Sequence, residues 1–242
     1  YHGGNSETVM GRILKQYPRD RFYLADKFPG YDLSNMGKVE EIFEEQLEKC
    51  QVDYFDFYLF HNVCEMNIDA YLDPKNHIYE SLMARKRSGQ IKHLGFSAHG
   101  DLNTMKRFLD AYGKDMEFCQ IQLNWLDWEF QNAKGKVELL QKWNIPVWVM
   151  EPLRGGKLAK LPEEYAAKLH ELRAGEGVPA WAFRFVQSIP SATMVLSGMS
   201  TMEQVEDNLK TFSEEKPLSE QEQRTLLVIA DSMTGRTSIP CT

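Results

Sequence analysis

The chain has 242 residues, 43% of them hydrophobic and 26% charged, with a formal net charge of −7. That is enough apolar material for one substantial core, and no linker or break in composition interrupts it, so a single globular domain over 1–242 is expected. An acidic chain without a basic stripe has no general attraction for nucleic acid or an anionic membrane, and no apolar run reaches the length a bilayer demands.

Residues 1–20, YHGGNSETVMGRILKQYPRD, read as a loop feeding a helix, with Ser6 as N-cap before Val9, Met10, Ile13 and Leu14. The start is abrupt, with neither Met nor a polar tail, which suggests further chain upstream. FYLADKF at 22–28 is a short strand ending near Lys27, and Pro29-Gly30 turns the chain away. A helix over about 35–50 comes next, with Val39, Ile42, Phe43, Gln46 and Leu47 as its buried stripe.

DYFDFYLFHN at 53–62 is too short and too aromatic for an ordinary helix, and its nearly continuous apolarity reads as a strand covered on both faces. It closes on His61, and strict alternation would put Phe55, Phe57, Leu59 and His61 on one side. Helices near 78–86, 102–112 and 135–143, a pair within 162–187, and two more at 201–212 and 219–232 alternate with strands at 91–98, 118–124, 145–152 and 193–199. Ser219 and Glu222 form a capping box for the last helix.

Six strands in regular alternation with helices imply right-handed βαβ crossovers, in an open doubly wound sheet or a barrel. A closed barrel needs eight strands. The shortfall and the abrupt start together predict a (β/α)8 TIM barrel whose first two strands lie upstream of residue 1. Tyr1 would then follow the second of them, on the same rim as Lys27 and His61.

Singly these three residues say little: a terminal Tyr frays, a strand-end Lys is solvated and a strand-end His is structural. Together they are complementary. A tyrosine can protonate a developing alkoxide, but its ordinary pKa of about 10 is too high for easy exchange near neutrality. A nearby ammonium lowers it, and a histidine can orient a carbonyl by hydrogen bonding. Such a set polarises a ketone or aldehyde while another group delivers hydride.

YHGGNSE, FYLADKF and DFYLFHN resemble, in order and context, the tyrosine, lysine and histidine segments of the aldo-keto reductase family. The resemblance implies Tyr1 as general acid, Lys27 as the partner that tunes it and His61 as the carbonyl-orienting group. The family's aspartate, a few residues before the tyrosine, would fall before residue 1. It further implies a nicotinamide cofactor lying over the C-terminal rim. In GFSAH, Ser97 and, less strongly, His99 match positions near the carboxamide; in CQIQLNW, Gln120 matches the glutamine that binds the same amide, with Asn124 a polar wall or a turn residue. In VMEPLRGGKL, Met150 takes the stacking position that is aromatic in many members, while Arg154, Gly155 and Gly156 match a loop that spans the pyrophosphate. In LSGMSTMEQVEDNLK, Gly198, Ser200, Gln204 and Asn208 match the segment for the cofactor's phosphate and adenine end. Many members that prefer the phosphorylated cofactor carry Lys or Arg there. Family tendency therefore favours NADP(H), and NAD(H) stays open.

The implied activity is NAD(P)H-dependent reduction of an aldehyde or ketone, with a small-molecule carbonyl or alcohol as partner. Its pocket would be shaped by loops 62–76 and 125–134, where Trp125, Trp128 and Phe130 either line an apolar cavity or pack. The alternatives are a regulatory subunit that binds cofactor without catalysis and an aldolase-like barrel using Lys27 as a Schiff base. Cys50, Cys64, Cys119 and Cys241 form no CxxC pair and have no histidine at zinc-finger spacing, so no metal site is expected, Cys50 and Cys119 read as core residues, and a reducing cytoplasm is the simplest setting. Cys241 lies in SIPC, similar to the point where some bacterial members continue into a ferredoxin-like extension; an iron–sulfur cluster is expected only if such an extension exists.

Overall fold

The computed structural model describes residues 2–235. They divide between Cys119 and Gln120 into two compact units. Tyr1 and Cys241 lie outside the described residues.

The first unit runs α1 (Asn5–Leu14), β1 (Ala25–Phe28), α2 (Val39–Cys50), β2 (Phe55–Val63), the short α3 (Ile68–Leu72), α4 (Ile78–Ser88), β3 (Ile91–Ala98) and α5 (Leu102–Tyr112). β1 pairs with β2 in parallel, Lys27 opposite Leu59, and β2 pairs in parallel with β3. The C-terminal ends of all three strands therefore share one rim. On the helix-facing side, Tyr58 packs edge-on against Phe43 of α2, and Phe60 packs against Tyr71 of α3 and Phe108 of α5, with centroids 5.1–5.6 Å apart. Burying each such aromatic side chain contributes about 1.5–3 kcal/mol. That is ample reason for the strand to be held here.

Two local expectations are corrected. Ser6 is not the N-cap of α1; Gly4, in the left-handed region at φ 80°, turns the chain into the helix before Ser6 is reached, and no side chain caps it. α2 starts at Val39 rather than near 35, because Asp32 accepts from Ser34 N to close a separate 3-10 turn at Leu33–Asn35, and Gly37 at φ 82° breaks the chain between that turn and the helix. The alternation along β2 also breaks. Asp56 N and Phe57 N both donate to Leu24 O where the strand enters the sheet, and the register of β2 on β3 shifts again between Phe60 and Val63. Phe55 consequently lies with Tyr58 against Phe43, while Phe57 meets Tyr23, His93 and Phe118.

In the second unit the elements are β4 (Cys119–Gln122, whose first residue closes the first unit), α6 (Asp127–Phe130), α7 (Ala133–Lys142), β5 (Val147–Met150), α8 (Glu163–Leu172), α9 (Val178–Gln187), β6 (Ala192–Val195), α10 (Met202–Phe212) and α11 (Glu220–Thr234). β5 and β6 are parallel, and Leu123 N donates to Met150 O where β4 leaves its strand. Ser219 and Glu222 cap α11 reciprocally, as their spacing predicts. Arg184, 4% exposed, pairs with Glu176 and donates to the carbonyls of Thr211 and Glu214. No helix among the described residues is long and apolar enough to cross a membrane.

Candidate active site

On the first unit's rim, β1 supplies Lys27 and β2 supplies His61, two residues beyond Lys27's register partner. The His61 ring stands edge-on to Tyr31 at 5.3 Å. Burial, reinforced by the charge of Lys27 and by His99, pushes the His61 pKa down to about 3. The imidazole is therefore neutral throughout the ordinary pH range. Burial also lowers the Lys27 pKa, and Asp26 opposes that shift.

The backbone under these groups is fastened by residues that sequence reasoning did not single out. Tyr71 OH donates to His61 O at 2.8 Å. Asn67, 2% exposed, donates to Gly30 O and Asn62 O and accepts from Cys64 N, tying the turn after β1 to the end of β2. Gly30 marks the tightest approach, since a Cβ there would sit 1.9 Å from the Tyr71 hydroxyl. The Pro29-Gly30 turn was visible in the sequence, but the side chain resting on it was not. Gly30→Ala is expected to cost about 1–3 kcal/mol in urea unfolding through overpacking. A loss below about 0.5 kcal/mol, the range of surface substitutions, would show that Tyr71 yields freely.

Ser97, 1% exposed, accepts from Asn62 N at 2.8 Å, which leaves its hydroxyl proton to be donated. Asn62 is in the left-handed region at φ 58°, and its Oδ1 is buried without a hydrogen-bond partner. A buried acceptor lacking a donor, beside His61 and Ser97, fits a site that takes up a polar ligand.

The second unit carries Gln120, Met150 and Arg154, of which Gln120 and Met150 touch. Gln120, 4% exposed, has the Met150 sulfur as the acceptor for its Nε2 at 3.3 Å, a weak partner that suits a carboxamide-binding role. Arg154 is already engaged: its Nε lies 3.1 Å from both oxygens of Asp127, and its guanidinium is over the Phe130 ring. Asp127 is fully buried; its carboxylate also accepts from Gln122 Nε2 and Asn124 Nδ2, and its backbone N–H donates to Asn124 Oδ1. Asn124 is thus a turn-forming residue, and Asp127 is the anchor that sequence reasoning missed; the Asn-x-x-Asp spacing was its only local sign. Glu151, Arg154, Gly155 and Gly156 all have positive φ, so the loop after β5 coils tightly. Trp125 is 1% exposed and Trp128 packs against Phe185, which assigns both to packing.

Leu196 N donates to Val149 O, placing the segment that leads to α10 beside Met150. Gly198 has open space around it. Gln204 Oε1 accepts from Ser200 N and Thr201 N, Thr201 Oγ1 accepts from Gln204 N, and Asn208 Nδ2 donates to Ser197 Oγ at 3.1 Å. Gln204 and Asn208 therefore shape this turn.

The family profile described as the aldo/keto reductase family matches residues 1–229. The chain belongs to that family, and the class of protein so defined is an NAD(P)H-dependent oxidoreductase. Among curated relatives it is 25% identical to L-galactose dehydrogenase of Arabidopsis thaliana, over 88% of this chain and 72% of that protein. It is 23% identical to the NADH-specific methylglyoxal reductase of Escherichia coli strain K12, over 88% and 76%. Solved structures share the fold: an aldo-keto reductase from Bacillus halodurans in its holo form (TM-score 0.73, 23% identity, 92% of this chain and 76% of that one) and an aldo/keto reductase from Klebsiella pneumoniae in complex with NADP and acetate (TM-score 0.73, 20% identity, 95% and 77%). The fold is the α/β barrel of this family, with six parallel strands among the described residues.

Proposed function

We propose that the protein reduces an aldehyde or ketone to an alcohol, or runs the reverse reaction, with Tyr1 as the proton donor. The observation that carries this reading is the pairing of Lys27 with a neutral His61 at the ends of adjacent parallel strands. A neutral imidazole N–H donates to the substrate oxygen and orients it without competing for the proton. Tyr1 protonates that oxygen as charge develops, and the Lys27 ammonium holds the phenol's pKa within working range. Bound nicotinamide supplies the hydride on reduction and accepts it on oxidation. The family resemblance assigns Ser97 and Gln120 to its amide, Met150 to its ring, and Arg154, Gly155, Gly198, Ser200, Gln204 and Asn208 to the remainder. A panel of aldehydes and ketones assayed by nicotinamide absorbance tests the reading, and cofactor binding without turnover on any of them would favour a regulatory subunit.

Family tendency points to NADP(H), but residues 199–209 contain no Lys or Arg, and α10 carries Glu203 in its first turn. A hydrogen bond to a charged group is worth about 1.5–3 kcal/mol, so without such a cation NADH is expected to support turnover within about tenfold of NADPH in kcat/KM. A preference for NADPH above about a hundredfold would place a cation on the 2′-phosphate from elsewhere.

Burial of Lys27 favours one second reading, an aldolase-like Schiff base. Borohydride with a carbonyl substrate separates the two, because a covalent adduct on Lys27 would overturn the reductase. Cys50, Cys64 and Cys119 are thiols rather than disulfides, which suits a cytoplasmic enzyme.

A further inference from the structure

The helix that follows Tyr1 is docked by a buried amide for which neither the fold nor the proposed chemistry has accounted. Gln46, on α2, is 4% exposed. Its Nε2 donates to Lys27 O at 2.9 Å and lies 3.3 Å from Glu7 Oε1 on α1, while Tyr58 OH donates to its Oε1. One side chain thus joins three elements: the first turn of α1, the end of β1 that carries Lys27, and β2. The same carboxylate is gripped from outside, Glu7 Oε2 lying 3.5 Å from Lys49 Nζ. One turn further along α1, a Cβ on Gly11 would fall 2.3 Å from Lys49 O, so the two helices touch backbone to backbone. α1 therefore cannot slide on α2, and Glu7 is only six residues from Tyr1 in the chain.

We propose that Gln46 is a positioning residue for Lys27: by holding the Lys27 carbonyl together with Glu7 of α1, it fixes the end of β1 that presents the ammonium. The inference rests on the reading of Tyr1 as general acid and Lys27 as its tuning partner. Because the Coulomb influence of Lys27 on a phenol falls with separation, a Lys27 that has lost this anchor raises the pKa of the proposed general acid. Glutamine suits this position because its amide gives one carbonyl a donor and one hydroxyl an acceptor while remaining neutral beside Glu7.

The test uses the full chain and two substitutions. Gln46→Leu keeps the volume and removes the clamp. Glu7→Gln keeps an oxygen acceptor for Gln46 and serves as the conservative control. Gln46→Leu is expected to lower kcat by about a hundredfold, the scale of a 1 Å misplacement, with cofactor KM little changed. It should also move the alkaline limb of the kcat–pH profile to higher pH and speed hydrogen exchange of amides in 5–14. Glu7→Gln should retain the wild-type limb. A Gln46→Leu protein whose alkaline limb stays in place overturns the inference even if kcat falls, since loss of folded enzyme alone lowers the rate without moving the limb. Unchanged exchange in α1 overturns it as well. Wild-type protein that turns over no carbonyl at all sinks the reaction itself, an outcome visible before any variant is made.

Discussion

Tyr1→Phe is expected to lower kcat/KM for carbonyl reduction by about 10²- to 10⁴-fold, the range that positioned general acids supply. Phenylalanine keeps the ring and removes only the donor, so cofactor affinity should hold while the chemical step fails. His61 is a poor substitute as acid: its pKa near 3 leaves it almost wholly neutral at neutral pH, with no imidazolium to give up a proton. Steady-state kinetics on an aldehyde, with cofactor binding followed by fluorescence, decide the matter. Retention of more than about a tenth of the wild-type activity would mean that the proton comes from another group.

Asp26→Asn is expected to stabilise the protein at alkaline pH and to uncover an acid sensitivity that the wild type conceals. Burial, then the nearby Glu7 carboxylate, raises the Asp26 pKa from 3.8 to about 7, while Cys50 Sγ and Lys27 N are its hydrogen-bond donors. The folded state therefore holds a proton that the unfolded chain has lost between pH 3.8 and about 7, and stability falls as pH rises through that window. His61 works in the opposite sense. Its folded pKa is depressed from 6.5 to about 3, so the unfolded chain binds the extra proton and stability falls as pH drops below 6.5. Each group alone is worth about 4–5 kcal/mol over its full window, on the scale of about 1.4 kcal/mol per unit. Where the windows overlap the two slopes nearly cancel. Removing the Asp26 charge should raise stability at about pH 8 by up to about 4 kcal/mol and leave a steep loss of stability as pH falls below that of free histidine. Urea unfolding midpoints at about pH 5 and about pH 8 measure both effects, and a variant whose pH dependence matches the wild type would show that Asp26 is ionised in the fold throughout.

The six strands were legible because parallel strands covered on both faces read as short apolar runs between helices, and all six lie where those runs predicted. The side-chain direction of Phe55 was not legible. It turns on Asp56 and Phe57 sharing the carbonyl of Leu24, some thirty residues away in sequence, and no local periodicity encodes that. Ser6 was misread for a different reason: a good N-cap residue loses its place when Gly4 starts the helix earlier. Among the site residues, Lys27 and His61 were named from their positions at strand ends and Ser97 and Gln120 from the resemblance of their motifs, whereas Asn67, Tyr71 and Asp127 escaped notice because their partners lie on other elements or on the turn they close.

By itself the sequence determined where the strands fall and which functional groups stand at their ends, since both follow from hydrophobic pattern and chain order. Tertiary structure decided what those groups can do. It makes His61 neutral and lets Asp26 keep a proton near neutrality, and it ties Arg154 to Asp127 and Gln46 to Lys27. Desolvation and pairing set these properties, and both depend on neighbours that only folding brings within reach.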